Sequence, residues 1–563
     1  MIVGIDLGTT NSLVGVFDET PKLFRNPLGD FLTPSVVSVD DEDRIVIGRA
    51  ARDRLVTHPG RSVAAFKRWM GTPRETLLGT HAFRPEELSA LVLRALIADA
   101  EAATGRKVEE AVISVPAYFS DAQRKATRAA GELAGIRVER LINEPTAAAL
   151  AYGLQERRAG SRFLVFDLGG GTFDVSILEL FDGVVEVHAS AGDNFLGGED
   201  FLDMLVGACL DDLHIDRGSL EPGESAQLRH RIERAKCELS NSATAQVEFT
   251  VAGSPMRWLI DEGRFERLVE PLVQRLRTPL ERAMRDSRLQ SSQLDEIVLV
   301  GGASRMSLVA RAVSRMFGRL PLRHVNPDQA IGLGAAIAAG LKARDAKLEE
   351  IILTDVCPYT LGTEVSRAGE GGQPVAGFFH PIIPRNSTVP VSREDSFTPV
   401  DSAQKRINFQ VYQGESPLVA RNIKLGELAV PIPLAKKGID RSVVVRFTYD
   451  LNGILQVEVR VLATGERFEL VLEQNPGLLT PEEIKHRLAE LDRIKLHPRD
   501  QQENIALISR AERLYEEHLR LREYIQQWLL RFRSAINGQD ARMIADCRRE
   551  FASALDSMEG GGA

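Results

Sequence analysis

Two short glycine-rich segments carry the residue types that could hold a phosphate group and a divalent cation. Residues 5–12 read IDLGTTNS, and residues 166–174 read FDLGGGTFD. Glycine lets a backbone approach a phosphate closely, and successive N–H groups form an anion-binding nest. Asp6 and Asp167 would repel phosphate oxygens unless a cation lay between them. The pair therefore indicates Mg²⁺, held through water because this ion dehydrates reluctantly.

The shared pattern of the two segments is an internal repeat. Each segment lies between two strand-like runs, and the repeat predicts two related lobes that face a cleft. Either segment alone is also compatible with an ordinary Gly-rich hairpin, so the inference rests on the matching pair. The chain contains no GxxxxGK[ST] sequence, which excludes a P-loop protein.

Two further segments could contribute to the same cleft. Residues 298–305 read VLVGGASR and predict a strand, a Gly-Gly turn and a helix start. A helix N-terminus binds anions, and Arg305 could cover a purine face. Residues 143–145 read NEP and predict a helix start that carries a carboxylate. Taken alone, the first segment is also compatible with a plain strand-to-helix turn and the second with an N-cap.

The type of secondary structure that must position these residues changes along the chain. Up to about residue 350, strand-like and helix-like segments alternate, which favours an α/β architecture. The strand candidates are 1–5, 13–17, 112–115, 163–166, 175–178 and 297–300, and the helix candidates are 120–134 and 145–152. The apolar stretch 331–341 is shorter than the ~20 residues of a membrane span. We interpret it as a tightly packed helix.

The rest of the chain predicts a β region followed by helices. Residues 355–474 contain β-branched runs, and Asn452-Gly453 between two of them is a hairpin signal. These runs predict an antiparallel β-sandwich. Thr480-Pro481-Glu482-Glu483 is a capping box that begins long helical patterns. The joint at 349–355 reads EEIILTD, which is either a buried strand edge or a segment that docks on one lobe in one state.

Composition excludes several other classes. The chain has 563 residues, 44% hydrophobic residues and a net charge of −9, a profile unlike that of disordered, collagen-like or disulfide-dense chains. An acidic balance gives no support for nucleic-acid binding. The four cysteines are scattered without a CxxC motif, which favours a reducing compartment. The first residues lack a signal-peptide pattern, so we expect a cytoplasmic location without membrane attachment.

Taken together, these segments resemble the actin-like ATPase fold and, more closely, the DnaK-type (seventy-kilodalton heat-shock) chaperones. The resemblance runs from Met1 to about Leu530. Its motifs are GIDLGTTNS (4–12), FKR (66–68), VPAYF (115–119), NEPTAAA (143–149), DLGGGTFD (167–174), ERAK (233–236), VGG (300–302) and NPD (326–328). Residues 195–200 (FLGGED) and 353–359 (LTDVCPY) look most like the HscC-like branch of this family.

The resemblance implies an ATP or ADP site with Mg²⁺, and K⁺ as a further candidate cation. The residues implied to cradle the β- and γ-phosphates are Gly8, Thr9, Thr10, Asn11, Gly169, Gly170, Gly171 and Thr172. The implied catalytic residues are Lys67, Glu144, Asp167, Thr172 and Asp6, with support from Asp174. Of these, Asp6, Glu144 and Asp167 would hold Mg²⁺ through water. Lys67 would neutralise the transferring phosphoryl group, although FKR alone is also compatible with a surface lysine.

The remaining nucleotide and control residues are implied in the same way. Those for adenosine and the adjoining cleft wall are Glu233, Lys236, Ser240, Gly301, Gly302, Ser304, Arg305 and Asp328. Cys237 stands where some relatives have Arg, so base stacking would rest more on Arg305. Pro116, Arg124 and Glu144 would relay the state of the site to the docking linker, Ile351, Ile352 and Leu353. Thr354 replaces an apolar linker residue, from which we expect weaker docking. J-domain cochaperones would engage Arg140, Asn143 and Asp355, each also compatible with a surface polar group.

The β region would hold an extended peptide in a groove. Its implied pocket residues are Thr363, Val365, Phe397, Ile407 and Phe409, each also compatible with an inward-facing core position. Segments 70–85 and 216–227 are shorter than in relatives, which leaves open the need for a nucleotide-exchange factor. The abbreviated helical end predicts incomplete closure over the peptide and fast peptide exchange.

The sequence therefore predicts an α/β, actin-like, two-lobed ATPase domain (1–348), an interdomain linker (349–355), a β-sandwich substrate-binding domain (356–475), a helical lid (480–557) and a disordered tail (558–563). The expected function is ATP-dependent binding and release of unfolded peptide segments by a chaperone. An actin-like filament or scaffold protein is the alternative, although the regions after Asp355 speak against it. A sugar or acetate kinase is a third hypothesis.

Overall fold

The chain forms two compact units. A computed structural model describes residues 1–156, 160–181, 184–322, 325–343, 352–369, 373–435, 439–450, 453–472, 502–517 and 519–560. The units are Met1–Pro358 and Tyr359–Ala563. In the part of the chain that the structure describes, no helix has the length and apolar character needed to cross a membrane. The finer domain limits stay predictions.

The first unit alternates strands and helices, as expected. Its strands are β1 (Ile2–Asp6), β2 (Asn11–Asp18), β3 (Thr20–Leu23), β4 (Thr33–Pro34), β5 (Val36–Val39), β6 (Ile45–Ile47), β7 (Ser62–Ala64), β8 (Thr76–Leu78), β9 (His81–Phe83), β10 (Glu110–Val115), β11 (Arg137–Asn143), β12 (Ser161–Leu168), β13 (Phe173–Phe181), β14 (Val184–Asp193), β15 (Thr244–Val251), β16 (Ser254–Asp261), β17 (Glu296–Val300), β18 (Ile352–Leu353) and β19 (Asp355–Val356). Its helices are α1 (Arg49–Thr57), α2 (Pro85–Thr104), α3 (Asp121–Leu133), α4 (Glu144–Glu156), α5 (Gly198–Asp212), α6 (Pro222–Glu238), α7 (Glu262–Ser287), α8 (Ser307–Phe317) and α9 (Ala330–Lys342). Short 3-10 helices include Phe66–Trp69 and Gly302–Arg305.

Two sheets define the two lobes of this unit. The sheet of the first lobe has the order β11-β10-β1-β2-β3, and that of the second lobe has the order β17-β12-β13-β14-β18. In each sheet an antiparallel hairpin, β1–β2 or β12–β13, pairs on its other side with a parallel strand, β10 or β17. The two glycine-rich segments are the turns of these hairpins. The predicted repeat is therefore a repeat of hairpin and parallel neighbour.

Small residues allow α4 and α9 to pack backbone against backbone. A Cβ atom added at Gly334 of α9 would lie 1.7 Å from the carbonyl oxygen of Ala147 in α4. One added at Gly4 of β1 would lie 2.2 Å from the carbonyl oxygen of Ala335. A hydrophobic core that includes residues of α4 and α9 also takes in Val165 of the second sheet. The apolar stretch 331–341 is thus the packed helix predicted for it.

The second unit begins with two four-stranded sheets. Its strands are β20 (Leu361–Ala368), β21 (Pro374–Ile383), β22 (Thr388–Val389), β23 (Val391–Phe397), β24 (Arg406–Gln413), β25 (Ile423–Pro431), β26 (Val443–Tyr449), β27 (Leu455–Val461) and β28 (Arg467–Leu472). The sheet orders are β21-β20-β24-β25 and β23-β26-β27-β28. Strands β26 and β27 form the hairpin expected at this point, although Asn452 lies outside the described residues.

Three helices follow in the described part of the second unit. They are α10 (Gln502–Glu517), α11 (Arg522–Asn537) and α12 (Ala541–Gly560). They share a core in which the rings of Trp528 and Phe551 stack at 5.7 Å between centroids. The helix start predicted at Thr480 lies outside the described residues.

Candidate functional site

A cleft in the first unit brings both glycine-rich turns together. Its volume is about 780 Å³, within the range of small-molecule and cofactor sites. Every residue that the resemblance assigned to catalysis or nucleotide binding lines this cavity, with the exceptions of Gly171 and the supporting residue Asp174. The cleft also receives Cys237 and Asn241. The structure therefore gathers residues that are spread over more than half of the chain.

Hydroxyl groups support the first turn. The backbone N–H of Gly8 donates to Ser12 Oγ at 3.1 Å, and Ser35 Oγ donates to the Gly8 carbonyl at 2.7 Å. The hydroxyls of Ser12 and Ser35 are themselves 2.9 Å apart. A Cβ atom at Gly8 would lie 2.0 Å from the carbonyl oxygen of Asn11, so the turn requires glycine there.

Backbone groups at the start of α5 support the second turn. The N–H of Gly169 donates to the Thr172 carbonyl at 3.0 Å and closes the turn. The N–H of Gly198 then donates to the Gly169 carbonyl at 2.9 Å, and that of Glu199 to the Gly170 carbonyl at 2.8 Å. The first turn of α5 and the second glycine-rich turn thus form one continuous hydrogen-bonded structure.

Buried carboxylates crowd the floor of the cleft. Asp6 Oδ1 accepts a hydrogen bond from the Ser114 hydroxyl at 2.7 Å, and Asp174 Oδ1 accepts one from the backbone of Tyr118 at 3.1 Å. Burial, followed by the charge of Glu144, raises the pKa of Asp6 to about 7 and that of Asp174 to about 8. The same two causes raise the pKa of Asp167 well above its ordinary value. Such a cluster is stable as carboxylates only with positive charge nearby.

The unpartnered oxygens in this cluster fit a divalent cation. Oδ2 of Asp167 and Oδ2 of Asp174 are buried and have no hydrogen-bond partner, which is costly for a polar group away from water. No group of three or more His, Cys, Asp or Glu side chains among the described residues is placed to ligate a metal directly. Mg²⁺ prefers oxygen ligands and keeps part of its water shell, so these residues suit a cation held through water.

A buried ion pair stands beside the carboxylates. Lys67 Nζ lies 2.7 Å from Glu144 Oε1, and the two side chains are only 4% and 8% exposed. Lys67 comes from the 3-10 helix Phe66–Trp69, whereas Glu144 is the first residue of α4. The burial of Lys67 excludes the surface-lysine alternative. The sequence indicated both residues but not their pairing.

Cations and a glycine turn shape the other end of the cleft. Lys236 Nζ donates to the Gly198 carbonyl at 2.9 Å and pairs with Glu233 at 2.7 Å. Arg305 is held by Asp328 at 2.6 Å. The Gly-Gly turn leads into the 3-10 helix Gly302–Arg305, with α8 beginning only at Ser307, so the predicted helix start is one 3-10 turn.

The turn depends on Gly301, which has φ 81°. A Cβ atom there would lie 2.4 Å from the Leu168 carbonyl oxygen. Ser304 is buried, and its hydroxyl donates to the Gly301 carbonyl at 2.7 Å. Gly302, Asp328 and Ser240 complete the lining of this end.

A hydrogen-bond chain leads away from the cleft. Arg124 Nη2 donates to Asn143 Oδ1 at 2.7 Å, and Asn143 Nδ2 donates to both Asp355 oxygens at 2.9 and 2.8 Å. Asn143 is buried, which excludes the surface-polar alternative for this residue. Burial lowers the pKa of Arg140, and the negative charge of Asp355 partly offsets this shift. Pro116 contributes its carbonyl to the turn that carries Phe119.

The predicted linker is partly described. Ile351 lies outside the described residues, and Ile352–Leu353 forms β18, which pairs in parallel with Val184 and Val185 of β14. Thr354 donates to the Val185 carbonyl from both its N–H, at 3.0 Å, and its hydroxyl, at 3.3 Å. In this conformation the threonine adds a contact to the docked segment.

The predicted peptide-pocket residues lie on three strands of the second unit. Phe397 and Phe409 contact each other edge to face, with ring centroids 5.7 Å apart. Phe409 and Thr363 are buried, and the Thr363 hydroxyl donates to the Gln410 carbonyl at 3.0 Å, so both have inward-facing positions. Val365, Phe397 and Ile407 are half-buried. Each of these three side chains is partly exposed, and their role as pocket residues stays a prediction.

Sequence reasoning missed several supporting residues. Ser114 is a polar residue inside the apolar run AVISV, a break in pattern that could have flagged it. Ser35 carries no such signal, and Tyr118 belongs to the VPAYF motif, in which it was given no role. His380, whose ring lies 5.4 Å from Phe397 and whose Nε2 lies 2.8 Å from Asp395 Oδ2, was also missed.

Comparison with known proteins agrees with this geometry. A family model described as Hsp70 protein matches residues 2–78 and 74–529. The chain is 39% identical over 571 residues to "Chaperone protein DnaK" of Thermotoga neapolitana, covering 96% of this chain and 93% of the relative. It is 38% identical over 538 residues to "Chaperone protein DnaK" of Thermosipho africanus, covering 93% and 88%. Neither match bears on the HscC-like branch, which stays a prediction.

Proposed function

The chain belongs to the Hsp70 family and is an ATP-dependent molecular chaperone with ATPase activity, and we propose that ATP hydrolysis in its cleft controls the binding and release of unfolded peptide segments by its second unit. The observation that carries this proposal is the cleft itself. Two matching turns, a cluster of buried carboxylates and the Lys67–Glu144 pair converge on one cavity of about 780 Å³. That arrangement suits a triphosphate and a divalent cation.

Each side of the cleft has its own part in hydrolysis. Backbone N–H groups of the two turns would bind the β- and γ-phosphates, and the Lys67 ammonium would stabilise charge on the transferring phosphoryl group. When bound, Mg²⁺ would supply positive charge beside the phosphate oxygens, and Asp6, Glu144 and Asp167 would hold it through water. The carboxylates of Glu144 and Asp167 would orient the attacking water as hydrogen-bond acceptors. Catalysis of this kind is mostly positioning and charge stabilisation. K⁺ is a candidate for a second cation.

The far end of the cleft suits adenosine. Glu233, Lys236 and Ser240 offer polar groups to the ribose and base, and Arg305 offers a flat cation to the face of the base. Arg305 pairs with Asp328 at 2.6 Å and donates to Asn326 Oδ1 at 2.8 Å, and these contacts hold its side chain at the cleft. Cys237 lines the same region but cannot stack as a guanidinium would. Arg305 is therefore the stacking residue of this proposal.

The route from the nucleotide site to the linker is short. Glu144 faces the cleft, and its chain neighbour Asn143 joins Arg124 to Asp355 through hydrogen bonds. If Glu144 moves when the phosphate is cleaved, its neighbour Asn143 would therefore transmit the change to Asp355 through their hydrogen bond. Asp355 lies two residues beyond the end of β18, so the same change would bear on linker docking. Such coupling is reciprocal, and bound peptide must alter nucleotide affinity or turnover.

The second unit provides the peptide-binding part of the proposal. Val365, Phe397 and Ile407 would give apolar contacts, while backbone hydrogen bonds hold an extended chain. Helices α10–α12 would act as a lid. The turn between α11 and α12 is fastened to β23, because Gln539 accepts from the Glu394 N–H at 3.0 Å and donates to the Glu394 carbonyl at 2.7 Å. A J-domain cochaperone would engage Arg140 and Asp355, and the need for an exchange factor stays open.

An ATPase assay with and without a mixed library of extended peptides tests the proposal. We expect Mg²⁺-dependent ATP hydrolysis that peptide stimulates, together with peptide release on addition of ATP. ATP hydrolysis that ignores peptide would contradict the coupling. Polymerisation on addition of ATP, seen by light scattering, would instead support the filament alternative, which no observation in the structure favours.

A further inference from the structure

A contact outside the cleft crosses from one lobe to the other. Arg68 belongs to the 3-10 helix Phe66–Trp69 of the first lobe, and Asp200 lies in the first turn of α5 in the second. Arg68 Nη2 donates to both carboxylate oxygens of Asp200, each at 3.1 Å. The two side chains are only 14% and 20% exposed. A charge-assisted contact with this little solvent is stronger than a surface ion pair.

An aromatic contact crosses at the same place. The rings of Trp69 and Phe195 are 6.1 Å apart between centroids, at an interplanar angle of 55°. The guanidinium carbon of Arg68 lies 5.9 Å from the centre of the Phe195 ring. Both aromatic side chains are substantially exposed, at 38% and 49%. Their exposure argues against a core role, and the contact between lobes accounts for their placement.

This set of contacts lies directly behind the second glycine-rich turn. A Cβ atom at Gly171 would lie 2.8 Å from Arg68 Cγ and 2.8 Å from Thr9 Cγ2. The backbone of Gly171 therefore runs between a residue of the first turn and the stem of Arg68. Neither Arg68 nor Asp200 is among the residues that line the cavity. They can act on a bound nucleotide only through the residues that they hold.

The two ends of the contact are each tied to the phosphate-binding machinery. Arg68 follows Lys67 in the chain. Asp200 accepts from the Gly197 N–H at 2.8 Å and so fixes the start of α5. The next two N–H groups of that helix start, from Gly198 and Glu199, hold the second turn. Separation of Arg68 from Asp200 would let Lys67 and the second turn move apart.

We propose that Arg68 and Asp200, with Trp69 and Phe195, form an interlobe clasp that sets the closure of the cleft at its phosphate end. When the clasp is closed, Lys67 and the second turn keep their positions relative to the phosphates. When the clasp is open, hydrolysis is slower and nucleotide release is faster. Arg68 and Asp200 are thus positioning residues for the ATPase reaction. The inference rests on the proposed ATP site.

A double-mutant cycle on the full chain tests the clasp. The variants are Arg68→Ala, Asp200→Ala and the double variant, and the readout is stopped-flow release of a fluorescent ADP analogue in the presence of Mg²⁺. Loss of one charge-assisted contact predicts release about ten-fold faster in each single variant. The double variant should release no faster than the singles, because both remove the same contact. Single-turnover hydrolysis should slow in all three variants.

A matched control separates the clasp from general damage to α5. Arg229 of α6 pairs with Glu199 and Asp203 of α5, entirely within the second lobe. Arg229→Ala should leave ADP release unchanged. Equal acceleration by Arg229→Ala, additive effects in the double variant, or unchanged release in the single variants would each overturn the proposal.

Conservative variants keep the test available if an alanine variant fails to fold. Asp200→Asn keeps an acceptor for the Gly197 N–H but loses the charge, and Arg68→Lys keeps the charge but loses the planar guanidinium. Both should accelerate ADP release with a melting temperature near that of the wild type. Wild-type protein that binds no ADP would refute the proposed ATP site itself, whereas wild-type binding with unchanged variants would refute only the clasp.

Discussion

The two glycine-rich turns have nearly the same sequence pattern but different supports. Side-chain hydroxyls of Ser12 and Ser35 brace the first turn within its own lobe. Backbone N–H groups of Gly198 and Glu199 brace the second, and these belong to the start of α5. The surface that faces the ligand is therefore repeated, whereas the surrounding structure is not. The first turn is therefore supported within its own lobe, whereas the position of the second turn depends on the position of α5.

The electrostatic settings of the two turns differ as well. Asp6, at the first turn, accepts a hydrogen bond from Ser114 and has a pKa of about 7. Asp167, at the second, has one oxygen without a partner, and burial and the charge of Glu144 raise its pKa well above the ordinary value. The second turn therefore gains more from a bound cation than the first. Four predictions test this contrast, beginning with the strongest expected effect.

Removal of the Lys67 ammonium group should have the largest effect. Lys67→Ala removes a preorganised ammonium group, and we expect ATP hydrolysis to fall by ~10²–10³. Single-turnover hydrolysis measures the change. Lys22→Ala is the control, since Lys22 forms an exposed pair with Asp18 in the same lobe. Near-normal turnover by Lys67→Ala would refute the catalytic role.

Damage to the support of the second turn should exceed damage to that of the first. A Cβ atom at Gly197 would lie 2.5 Å from the Gly171 nitrogen, so Gly197→Ala should displace the second turn and lower hydrolysis by about 10². Ser35→Ala removes one hydroxyl and should cost about 1 kcal/mol of stability with a smaller kinetic effect. Single-turnover hydrolysis and thermal unfolding compare the two. Equal kinetic losses would contradict the contrast between the turns.

The pH dependence of stability tests the buried carboxylates without nucleotide. The pKa of Asp174 is about 8 in the folded protein, against an ordinary value of 3.8. Between these values the folded state binds more protons, so its stability falls as pH rises. Asp174→Asn stays neutral and should be more stable than the wild type by at least about 1 kcal/mol at pH ~8.5, with the difference vanishing near pH ~3.5.

Thermal unfolding in EDTA, at several pH values, measures this difference. Asp6→Asn should give the same sign over a narrower window, because the pKa of Asp6 is only about 7. A stabilising effect of Asp174→Asn that is independent of pH would contradict the protonation argument.

A substitution in the second unit should leave both turns intact. Ile407→Phe overfills a half-buried position, and we expect affinity for an apolar peptide to fall about ten-fold while basal ATP hydrolysis survives. Fluorescence anisotropy of a labelled peptide measures the affinity. Ile423→Phe is the control, because Ile423 lies 51% exposed on β25. Unchanged peptide affinity in Ile407→Phe would count against the groove assignment.

Local pattern made the turns and their hairpins predictable, because glycine spacing and strand alternation are properties of neighbouring residues. The packed helix α9 was predictable for the same reason. The Lys67–Glu144 pair was not, since its members are 77 residues apart and FKR suggests a surface position. The two supports of the turns were missed as well, because each depends on which distant segment lies behind the loop. The role of the Ser35 hydroxyl follows only from that placement, whereas Ser114 could have been flagged as a polar residue in an apolar run.

The close approach of α4 and α9 bears on how the lobes can move. At Gly334 and Ala147 the two backbones meet without an intervening side chain. Bulky interlocked side chains would have to change rotamer for one helix to slide past the other, and each change would add a barrier. Few side chains would have to rearrange for α4 and α9 to slide past each other at this point. Small shear displacements between the two helices therefore cost little free energy. The main resistance to motion of the lobes must come from contacts elsewhere.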